Sequence, residues 1–393
     1  MTKRIAFITE NFLGSTLPLI RQLCKREYII DLYIYRREVH EPEACELDYK
    51  AEHYGINTIP RQQYSGILDY VGSDNLNVFT FSQIKPFASV PVVRNIVSII
   101  MAYQAHKAAK FINAQGYDAI NMIGNYSMPY MRHLLRYLKG NVIMSLHEVW
   151  DHSQPSTKPS VLLSEAINKR CKIHVFSDNS RKDISQIEGI DMSLVHVNPF
   201  GIFESFTSLP EGELEVTLPE KYILFFGYIL PYKGLSVLHQ AINLIGKELG
   251  EYKIVIAGRG IDPVLEEIKN DVRYVLIPRF IKSRELVTLI GRAYLTVCPY
   301  LSISQSGIPQ TAFAFGTPII SSDIGAFKDI VTPDFGLRFP TGDSKVLAEQ
   351  ICQMLAHPDK RDKMYQNIRR FEQLRPEYDW SNICDNYLTI VSK

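Results

Sequence analysis

The sequence predicts an α/β protein built from two doubly wound, mainly parallel sheets. Short apolar strand signals alternate with helical stretches along both halves of the chain, which is typical of parallel sheets covered by helices. With 393 residues, 46% of them hydrophobic, the chain can fill two cores. A stretch rich in Ser, Pro, Gly and acidic residues, 204–220, separates the two series. We therefore expect a first domain over 1–203, a second over 204–375 and a closing segment over 376–393.

Apolar runs place the individual strands. In the first half they are Arg4–Ile8, Ile29–Tyr35, Asp118–Met122, Val142–Ser145 and Ile173–Phe176. In the second half they are Tyr222–Phe226, Ile254–Ala257, Arg273–Ile277, Tyr294–Cys298 and Pro318–Ser321. Helical spacing of apolar residues predicts a helix over Leu235–Ile245 and an amphipathic helix within the closing segment, carried by Trp380, Ile383, Tyr387 and Ile390.

Charge and cysteine content argue against several classes of protein. Residues 1–200 hold 22 Lys or Arg against 19 Asp or Glu, and the remainder holds 21 against 23, so neither half has the charge that nucleic-acid binding requires. The cysteines show no CxxC pair, which predicts reduced thiols in a cytosolic, cytoplasmic protein rather than a disulfide framework or metal site: Cys24, Cys45, Cys171, Cys298, Cys352 and Cys384.

Two apolar segments were compared with the patterns of a signal peptide and of a membrane span. The amino-terminal run reaches Glu10 after only a few apolar residues, which favours a first strand over a signal peptide. The most apolar stretch, residues 90–103, is interrupted by Arg94 and Asn95 and falls below the roughly 18 apolar residues of a membrane span. We expect no transmembrane helix.

A glycine turn with a lysine follows the first strand of the second half. Gly227 ends the strand, and Lys233 precedes Gly234 at the start of the predicted helix. This turn lies at the carboxyl end of a parallel strand, where open α/β sheets bind ligands, and the helix start favours an anion. The pattern predicts a phosphate contact for Lys233, with a solvated lysine as the alternative.

A second loop repeats this arrangement about seventy residues later. The strand Tyr294–Cys298 leads to the loop Ser306-Gly307-Ile308, and a helix ending at Gly316 follows. Glycine lets a backbone approach a ligand closely, and Ser306 can cap the helix or contact a phosphate oxygen. Two such loops in one half of the chain predict a diphosphate group as the ligand.

These motifs resemble the retaining glycosyltransferases of family 4 (glycosyl transferases group 1). The resemblance rests on the turn Gly227–Gly234, the strand and turn Ile254–Gly260, and the segment from Ser306 to Ile320. Upstream, Val142–His147 and Asn198–Ile202 are similar to a strand with a histidine and to the interdomain segment of that family. The resemblance implies the GT-B architecture: two Rossmann-like domains that face each other across a cleft, with a C-terminal helix that crosses back to the first domain.

The resemblance also implies an activity and a donor site. A sugar would move, with retention, from a nucleotide diphosphate sugar to a hydroxyl acceptor, in bacterial surface polysaccharide or glycolipid biosynthesis. Lys233 would be catalytic, and the donor would contact Gly227, Tyr228, Phe280, Ile281, Gln305, Ser306, Gly307, Ile308 and Thr311. Phe280 and Ile281 would hold the nucleobase through backbone groups, or else serve as an ordinary turn.

The donor motif departs from the family pattern at three positions. Tyr228 stands where the family usually has an arginine. Ile303 and Thr311 stand where the family has two glutamates, for the sugar and the ribose, and Gln305 is the nearest polar substitute. We interpret this as divergence of the donor site. The alternative is a non-catalytic nucleotide-sugar-binding or assembly protein, and a third option is a sugar-nucleotide epimerase of the same architecture.

In the first half, His147 at the end of a strand is the candidate for contact with the transferring sugar, as an exposed donor to the transition state. Gly14, Ser15 and Thr16 follow the first strand and are expected to cap a helix, and with Glu148 they form a candidate acceptor or phosphate loop. The alternative for the Gly14–Thr16 segment is a simple βα turn, and the alternative for His147 is a structural histidine.

No cofactor or metal is expected, since no DxD run follows a strand and the leaving diphosphate can serve as the base. The expected partners are a nucleotide sugar and a glycan or lipid-linked acceptor.

The predicted helix over 129–138 is basic, with Arg132, His133 and Arg136, and Lys139 follows it. This pattern suggests contact with an anionic membrane, and the alternative is a solvated helix face.

Overall fold

A computed structural model describes residues 3–10, 12–35, 55–82, 91–124, 129–147, 149, 159–303 and 305–392. The chain forms two compact units. Met1–Phe200 and Trp380–Lys393 form the first unit, and Gly201–Asp379 forms the second. The chain therefore returns to the first unit for its last helix.

Fourteen strands form the two sheets of the described chain. In the first unit they are β1 Arg4–Thr9, β2 Ile29–Tyr35, β3 Gly55–Thr58, β4 Leu76–Ser82, β5 Ala119–Gly124, β6 Val142–Leu146, β7 Lys172–Val175 and β8 Val195–Val197. In the second unit they are β9 Tyr222–Phe226, β10 Lys253–Ala257, β11 Tyr274–Ile277, β12 Leu295–Cys298, β13 Ile319–Ser322 and β14 Gly336–Phe339.

Fifteen helices connect these strands in the described residues. They are α1 Leu13–Lys25, α2 Ser65–Val71, α3 Pro91–Asn113, α4 Pro129–Tyr137, α5 Val161–Asn168, α6 Asp178–Ser185, α7 Leu235–Ile245, α8 Val264–Ile268, α9 Ser283–Gly291, α10 Ile308–Ala314, α11 Phe327–Ile330, α12 Ser344–Ala356, α13 Pro358–Ile368, α14 Phe371–Leu374 and α15 Trp380–Ser392. The predicted helix Leu235–Ile245 has the bounds that its apolar spacing indicated.

The first sheet has the order β3-β4-β2-β1-β5-β6-β7-β8. All neighbouring strands are parallel except β3 and β4, which pair antiparallel at the edge. The order reverses between β1 and β5, so the loops after these two strands flank the position where doubly wound sheets bind ligands. The doubly wound arrangement predicted for this half is confirmed, apart from the antiparallel edge strand.

The second sheet is wholly parallel, with the order β11-β10-β9-β12-β13-β14. Its strand order reverses between β9 and β12, which are hydrogen-bonded neighbours. The segments after their carboxyl ends begin at Gly227 and Pro299, so both predicted phosphate loops border the switch point of this sheet. The topology thus brings together two loops that lie about seventy residues apart in sequence.

Apolar side chains fill each unit separately. In the first unit, helices α3 and α4 pack on the sheet through buried residues such as Met101, Ala105 and Leu134. In the second unit, one face of the sheet packs against α7 and α12 and the other against residues such as Phe313 and Phe327. Strands buried on both faces explain why the sequence shows nearly continuous apolar runs instead of alternation.

One polar network crosses the amino-terminal side of the first sheet. The carboxylate of Asp31 is fully buried and lies 2.6 Å from the Arg4 guanidinium. Asn77 donates to the same carboxylate at 2.9 Å, and the Tyr117 hydroxyl also bonds to it. Burial keeps the pKa of Tyr117 far above its usual range, so this hydroxyl remains a donor. The charge of Asp31 is therefore paired and hydrogen-bonded, as a buried carboxylate requires.

A buried histidine links β7 to the end of the first unit. Nε2 of His174 lies 2.9 Å from the carbonyl oxygen of Asn198, and Nδ1 lies 2.9 Å from the Ser145 hydroxyl. Because the carbonyl can only accept, the neutral ring carries its proton on Nε2. The Ser145 hydroxyl, which lies beside Nδ1, donates to Asn121 Oδ1 at 2.7 Å. Asn198 in turn donates to the Ile383 carbonyl in α15 at 2.9 Å.

Burial lowers the pKa of His174 to about 4. Because the folded pKa lies below the unfolded one, the unfolded chain binds the proton more readily between these values, and stability is lost as pH falls from about 6.5 toward 4. We expect the free energy of unfolding of the first unit to fall by up to roughly 3 kcal/mol over that window. Denaturant titrations at several pH values test this. His174→Gln should reduce the pH dependence, and an unchanged slope in that variant would contradict the assignment.

Candidate functional site

The glycine turn after β9 has a backbone that only glycine permits at two positions. Gly227 has a φ of 110° and Gly234 a φ of 71°, both in the region that favours glycine. A Cβ on Gly234 would also lie 1.9 Å from the Pro299 carbonyl oxygen. Since Leu301 donates to the Tyr232 carbonyl at 2.8 Å, the segments after β9 and β12 are held directly against each other.

Lys233 lies in the short 3₁₀ turn Pro231–Lys233 that precedes α7. Its ammonium is 3.9 Å from the centre of the Tyr300 ring and 5.1 Å from that of Tyr232. Tyr300 is buried, and its hydroxyl hydrogen-bonds with Ser306. A cation over an aromatic face is stabilised without a counter-carboxylate. The positive charge therefore lies beside both predicted phosphate loops.

The loop before α10 is packed closely as well. A Cβ on Gly307 would lie 2.6 Å from the Phe203 ring, so the position needs a residue without a side chain. Ser306 Oγ accepts a hydrogen bond from the Ile308 backbone N–H at 3.3 Å. The Ile308 side chain lies 3.3 Å from where a Gly227 Cβ would be. The structure thus brings together Gly227, Lys233, Ser306, Gly307 and Ile308.

Two amide oxygens near this loop lack partners. Gln305 and Gln310 are buried, and Oε1 of each has no hydrogen-bond partner among the described residues. A buried acceptor without a partner is costly, so such groups commonly bind a ligand or water. Sequence reasoning identified Gln305 as a polar substitute but missed Gln310, whose position inside α10 gave no signal.

Thr311, the predicted ribose contact, is buried on α10. Its hydroxyl donates to the Gly307 carbonyl at 2.7 Å. The single proton of this hydroxyl is already used, so toward a ribose the oxygen can only accept. The role of Thr311 stays a prediction.

The predicted nucleobase segment lies after β11. The Phe280 carbonyl accepts from Arg279 at 2.9 Å, and Arg279 forms two bonds, of 2.9 and 2.6 Å, with Glu285. Ile281 is half-buried and packs against the core of the second unit. Arg279 was not singled out from the sequence, and it orders the turn that holds both residues.

In the first unit, His147 is half-buried and not exposed as expected. Its ring stacks on Phe12 at 3.7 Å between centroids and lies 4.8 and 4.9 Å from Phe176 and Phe200. Nε2 is buried and has no partner within the described part of the chain. Burial, and to a lesser degree the nearby His174, lowers the pKa of His147 to about 3. The side chain is therefore neutral near pH 7.

The loop after β1 also differs from expectation. Helix α1 begins at Leu13, so Gly14, Ser15 and Thr16 lie within its first turn and do not cap it. The hydroxyls of Ser15 and Thr16 donate to the Phe12 carbonyl at 3.1 and 2.6 Å. These bonds hold Phe12, which stacks on His147. Glu148 lies outside the described residues.

The fold and the donor-side loops define a class of protein, the two-domain α/β proteins of the GT-B type. A sucrose-phosphate synthase from Thermosynechococcus elongatus has the same fold, with a TM-score of 0.67 at 17% identity over 99% of this chain and 98% of that one. HepE of Anabaena, solved with UDP-glucose, has a TM-score of 0.64 at 13% identity over 99% and 100%.

Residues 220–357 match the family model described as Glycosyl transferases group 1. A phosphatidyl-myo-inositol mannosyltransferase of Mycobacterium leprae is 26% identical over 210 residues, which are 52% of this chain and 55% of the relative. The chain spans about half the length of the curated relatives it matches. The family resemblance predicted from the glycine turns and the Ser306–Ile320 segment is thus confirmed for residues 220–357.

Lys233→Ala should weaken binding of a nucleoside diphosphate by about tenfold or more, because a charge-assisted contact contributes roughly 1.5–3 kcal/mol. Isothermal titration calorimetry with UDP and GDP measures this change. Tm is measured alongside as the control for folding, so that a loss of affinity is separated from a loss of structure. Unchanged affinity in the variant would remove Lys233 from the site.

Gln305→Ala should weaken binding of the sugar nucleotide more than binding of the free diphosphate. The reason is that its unpartnered oxygen is suited to a sugar hydroxyl, and such a neutral contact contributes roughly 0.5–1.5 kcal/mol. Parallel titrations of each ligand measure the ratio. Equal losses for both ligands would place Gln305 away from the sugar.

Proposed function

We propose that this protein is a retaining glycosyltransferase that moves a sugar from a nucleotide diphosphate sugar to a hydroxyl acceptor. The observation that carries the proposal is the position of the Lys233 ammonium. It extends from the turn after β9 to the Tyr300 ring after β12, at the switch point of the second sheet. The family match over the same residues supports it. So does the structural similarity to a protein solved with UDP-glucose.

The proposed reaction needs little side-chain chemistry. The bond from the anomeric carbon to the diphosphate breaks, and a bond from the acceptor oxygen to that carbon forms on the same face. The acceptor proton passes to the departing diphosphate, whose negative charge Lys233 stabilises. Metal independence and the absence of a cofactor stay predictions of this scheme.

Nε2 of His147 has no hydrogen-bond partner among the described residues, and this supports a role for the residue in the transfer. His147→Ala should lower turnover by at least roughly a hundredfold, the scale of one lost transition-state contact, while nucleotide affinity changes only a few-fold. Steady-state kinetics and titration separate the two effects. Because the pKa of His147 is about 3, the rate should show no inflection near pH 6.5 from this group.

His147→Phe serves as the control for packing. It keeps an aromatic ring beside Phe12, Phe176 and Phe200 but removes both ring nitrogens. If the phenylalanine variant turns over like the parent, His147 has a structural role only.

Gln305 and Thr311, which stand in for carboxylates, support a second candidate, a protein that binds nucleotide sugars without turnover. A panel of nucleotide sugars, with release of free nucleoside diphosphate as the readout in the presence of candidate acceptors, distinguishes the two. Release that depends on an acceptor and is lost in Lys233→Ala supports the transferase. Tight binding without release across the panel supports the second candidate.

For the acceptor, we propose a glycan or lipid-linked hydroxyl at an anionic membrane surface, as in surface polysaccharide or glycolipid synthesis. The expected basic face of α4 is partly neutralised, because Arg132 and Arg136 share the single carboxylate of Glu165, at 3.5 and 2.7 Å. Helix α3 offers a better surface. Its exposed apolar side chains are Ile96, Ile99, Tyr103 and Phe111, with exposed fractions of 53%, 70%, 59% and 40%.

Charge complementarity favours an anionic bilayer as the occupant of this surface. Residues 75–147 contain seven Lys or Arg and a single acidic residue, Asp118. Lys107 and Lys110 are exposed on α3, and Lys107 lies 4.8 Å from the Tyr103 ring. Apolar and basic side chains exposed on one helix are typical of helices that lie at a membrane interface. Across the described residues, no helix is long and apolar enough to cross a membrane.

A double variant, Ile99→Glu with Tyr103→Glu, should reduce binding to vesicles that contain phosphatidylglycerol by at least tenfold, since two apolar contacts are lost and two like charges added. Co-sedimentation measures the bound fraction. Leu244→Glu is the matched control, because Leu244 is a 56% exposed hydrophobic residue of the second unit. Equal losses in both variants, or equal binding to pure phosphatidylcholine vesicles, would contradict the proposed surface.

A further inference from the structure

The turn after β10 presents an arginine beside the phosphate loops. Strands β9 and β10 pair in parallel, with Phe226 opposite Ala257, so both end at the same level of the sheet. Gly227 donates to the Ala257 carbonyl at 3.0 Å, and Ile229 donates to the Arg259 carbonyl at 2.9 Å. Arg259 is therefore fixed directly beside the Gly227 turn.

Two glycines make this approach possible. A Cβ on Gly258 would lie 1.7 Å from the Gly227 carbonyl oxygen, and one on Gly260 would lie 1.9 Å from the Ile229 carbonyl oxygen. Their φ values are 151° and 155°. Any side chain at either position would separate the two turns, so the location of Arg259 is determined by backbone contact.

The Arg259 side chain has a particular partner. Its guanidinium carbon lies 5.7 Å from the centre of the Tyr228 ring. Tyr228 is itself 48% exposed, so the pair lies at the surface of the sheet's carboxyl edge. An aromatic face holds a guanidinium in place and leaves its N–H groups available to an anion.

No carboxylate among the described residues pairs with Arg259. Other arginines of the second unit do have such partners: Arg273 with Asp271, Arg279 with Glu285, Arg292 with Glu211, Arg338 with Asp323, Arg361 with Asp362 and Arg375 with Glu377. Arg259 thus has an uncompensated charge at the edge of the sheet where ligands bind.

We propose that Arg259, held by Tyr228, is the second cation that binds the diphosphate of the donor, together with Lys233. This inference rests on the proposed function. Lysine acts on a phosphate as a point charge, whereas the planar guanidinium can bond two phosphate oxygens at once. Tyr228 is then a positioning residue, and its aromatic face is the property that matters.

The test measures binding of UDP, GDP and the corresponding nucleosides by calorimetry. Arg259→Ala should weaken diphosphate binding by about tenfold or more and leave nucleoside binding unchanged, because the lost contact is to the phosphates. Tyr228→Phe should bind like the parent, while Tyr228→Ala should lose part of the diphosphate affinity. Tyr228→Arg in the Arg259→Ala background should restore binding, since it places a cation in the neighbouring Gly227 turn.

Arg369→Ala is the control, because Arg369 is an exposed arginine of the same unit that follows a helix instead of a strand of the sheet. Equal diphosphate affinity of the parent and Arg259→Ala would overturn this inference and leave the proposed function standing. An equal loss in Arg259→Ala and Arg369→Ala would also overturn it, as a nonspecific charge effect. A parent that binds no nucleoside diphosphate would overturn the proposed function and this inference with it.

Discussion

The close approach of the backbones after β9 and β10 is the constraint on which the proposed donor site depends. Gly258 and Gly260 leave no room for a Cβ against Gly227 and Ile229. On the other side, Gly234 makes the same kind of contact with Pro299 after β12. Three strand ends are thereby brought together by main-chain contact. The side chains of Tyr228, Arg259 and Gln305 take no part in these main-chain contacts.

Much of the fold follows from local sequence. Fully buried parallel strands give continuous apolar runs, so β2 was predicted with its observed bounds and β9 to β13 to within a residue or so at each end. Strands β3, β4, β8 and β14 were missed. Three of them, β3, β8 and β14, lie at sheet edges, and an edge strand such as Gly55–Thr58 is short and half polar. Its pairing is decided by β4, a partner distant in sequence, and local propensity carries no signal for that.

The site was predictable where backbone chemistry decides it and unpredictable where tertiary contacts do. Gly227 and Gly234 adopt the conformations that their residue type suggested. Aromatic stacking on His147 involves Phe12, Phe176 and Phe200, which come from three separate segments, so its burial could not be inferred from the strand that carries it. The same holds for the Tyr228–Arg259 pair, whose members lie 31 positions apart in the turns that follow two neighbouring strands.

Polar groups inside the first unit are neutral or paired. His147 and His174 are kept uncharged by burial, and the one deeply buried carboxylate discussed above, Asp31, is bonded by several donors. By contrast, the cations at the carboxyl edge of the second sheet rest on aromatic rings. An aromatic face stabilises a cation without cancelling its charge. Lys233 and Arg259 therefore keep their positive charge at this edge of the second sheet.

The path of the chain has a consequence for biosynthesis. Helix α15 is part of the first unit, yet the whole second unit, Gly201–Asp379, precedes it in sequence. Its buried residues Ile383 and Tyr387 and its contacts with Asn198 and Lys172 are missing until translation has passed residue 379. On the ribosome, the second unit is contiguous and can complete its core as it emerges. Synthesis of the first unit therefore begins first and ends last. Until α15 is made, the nascent chain exposes the surface of the first unit that α15 later covers.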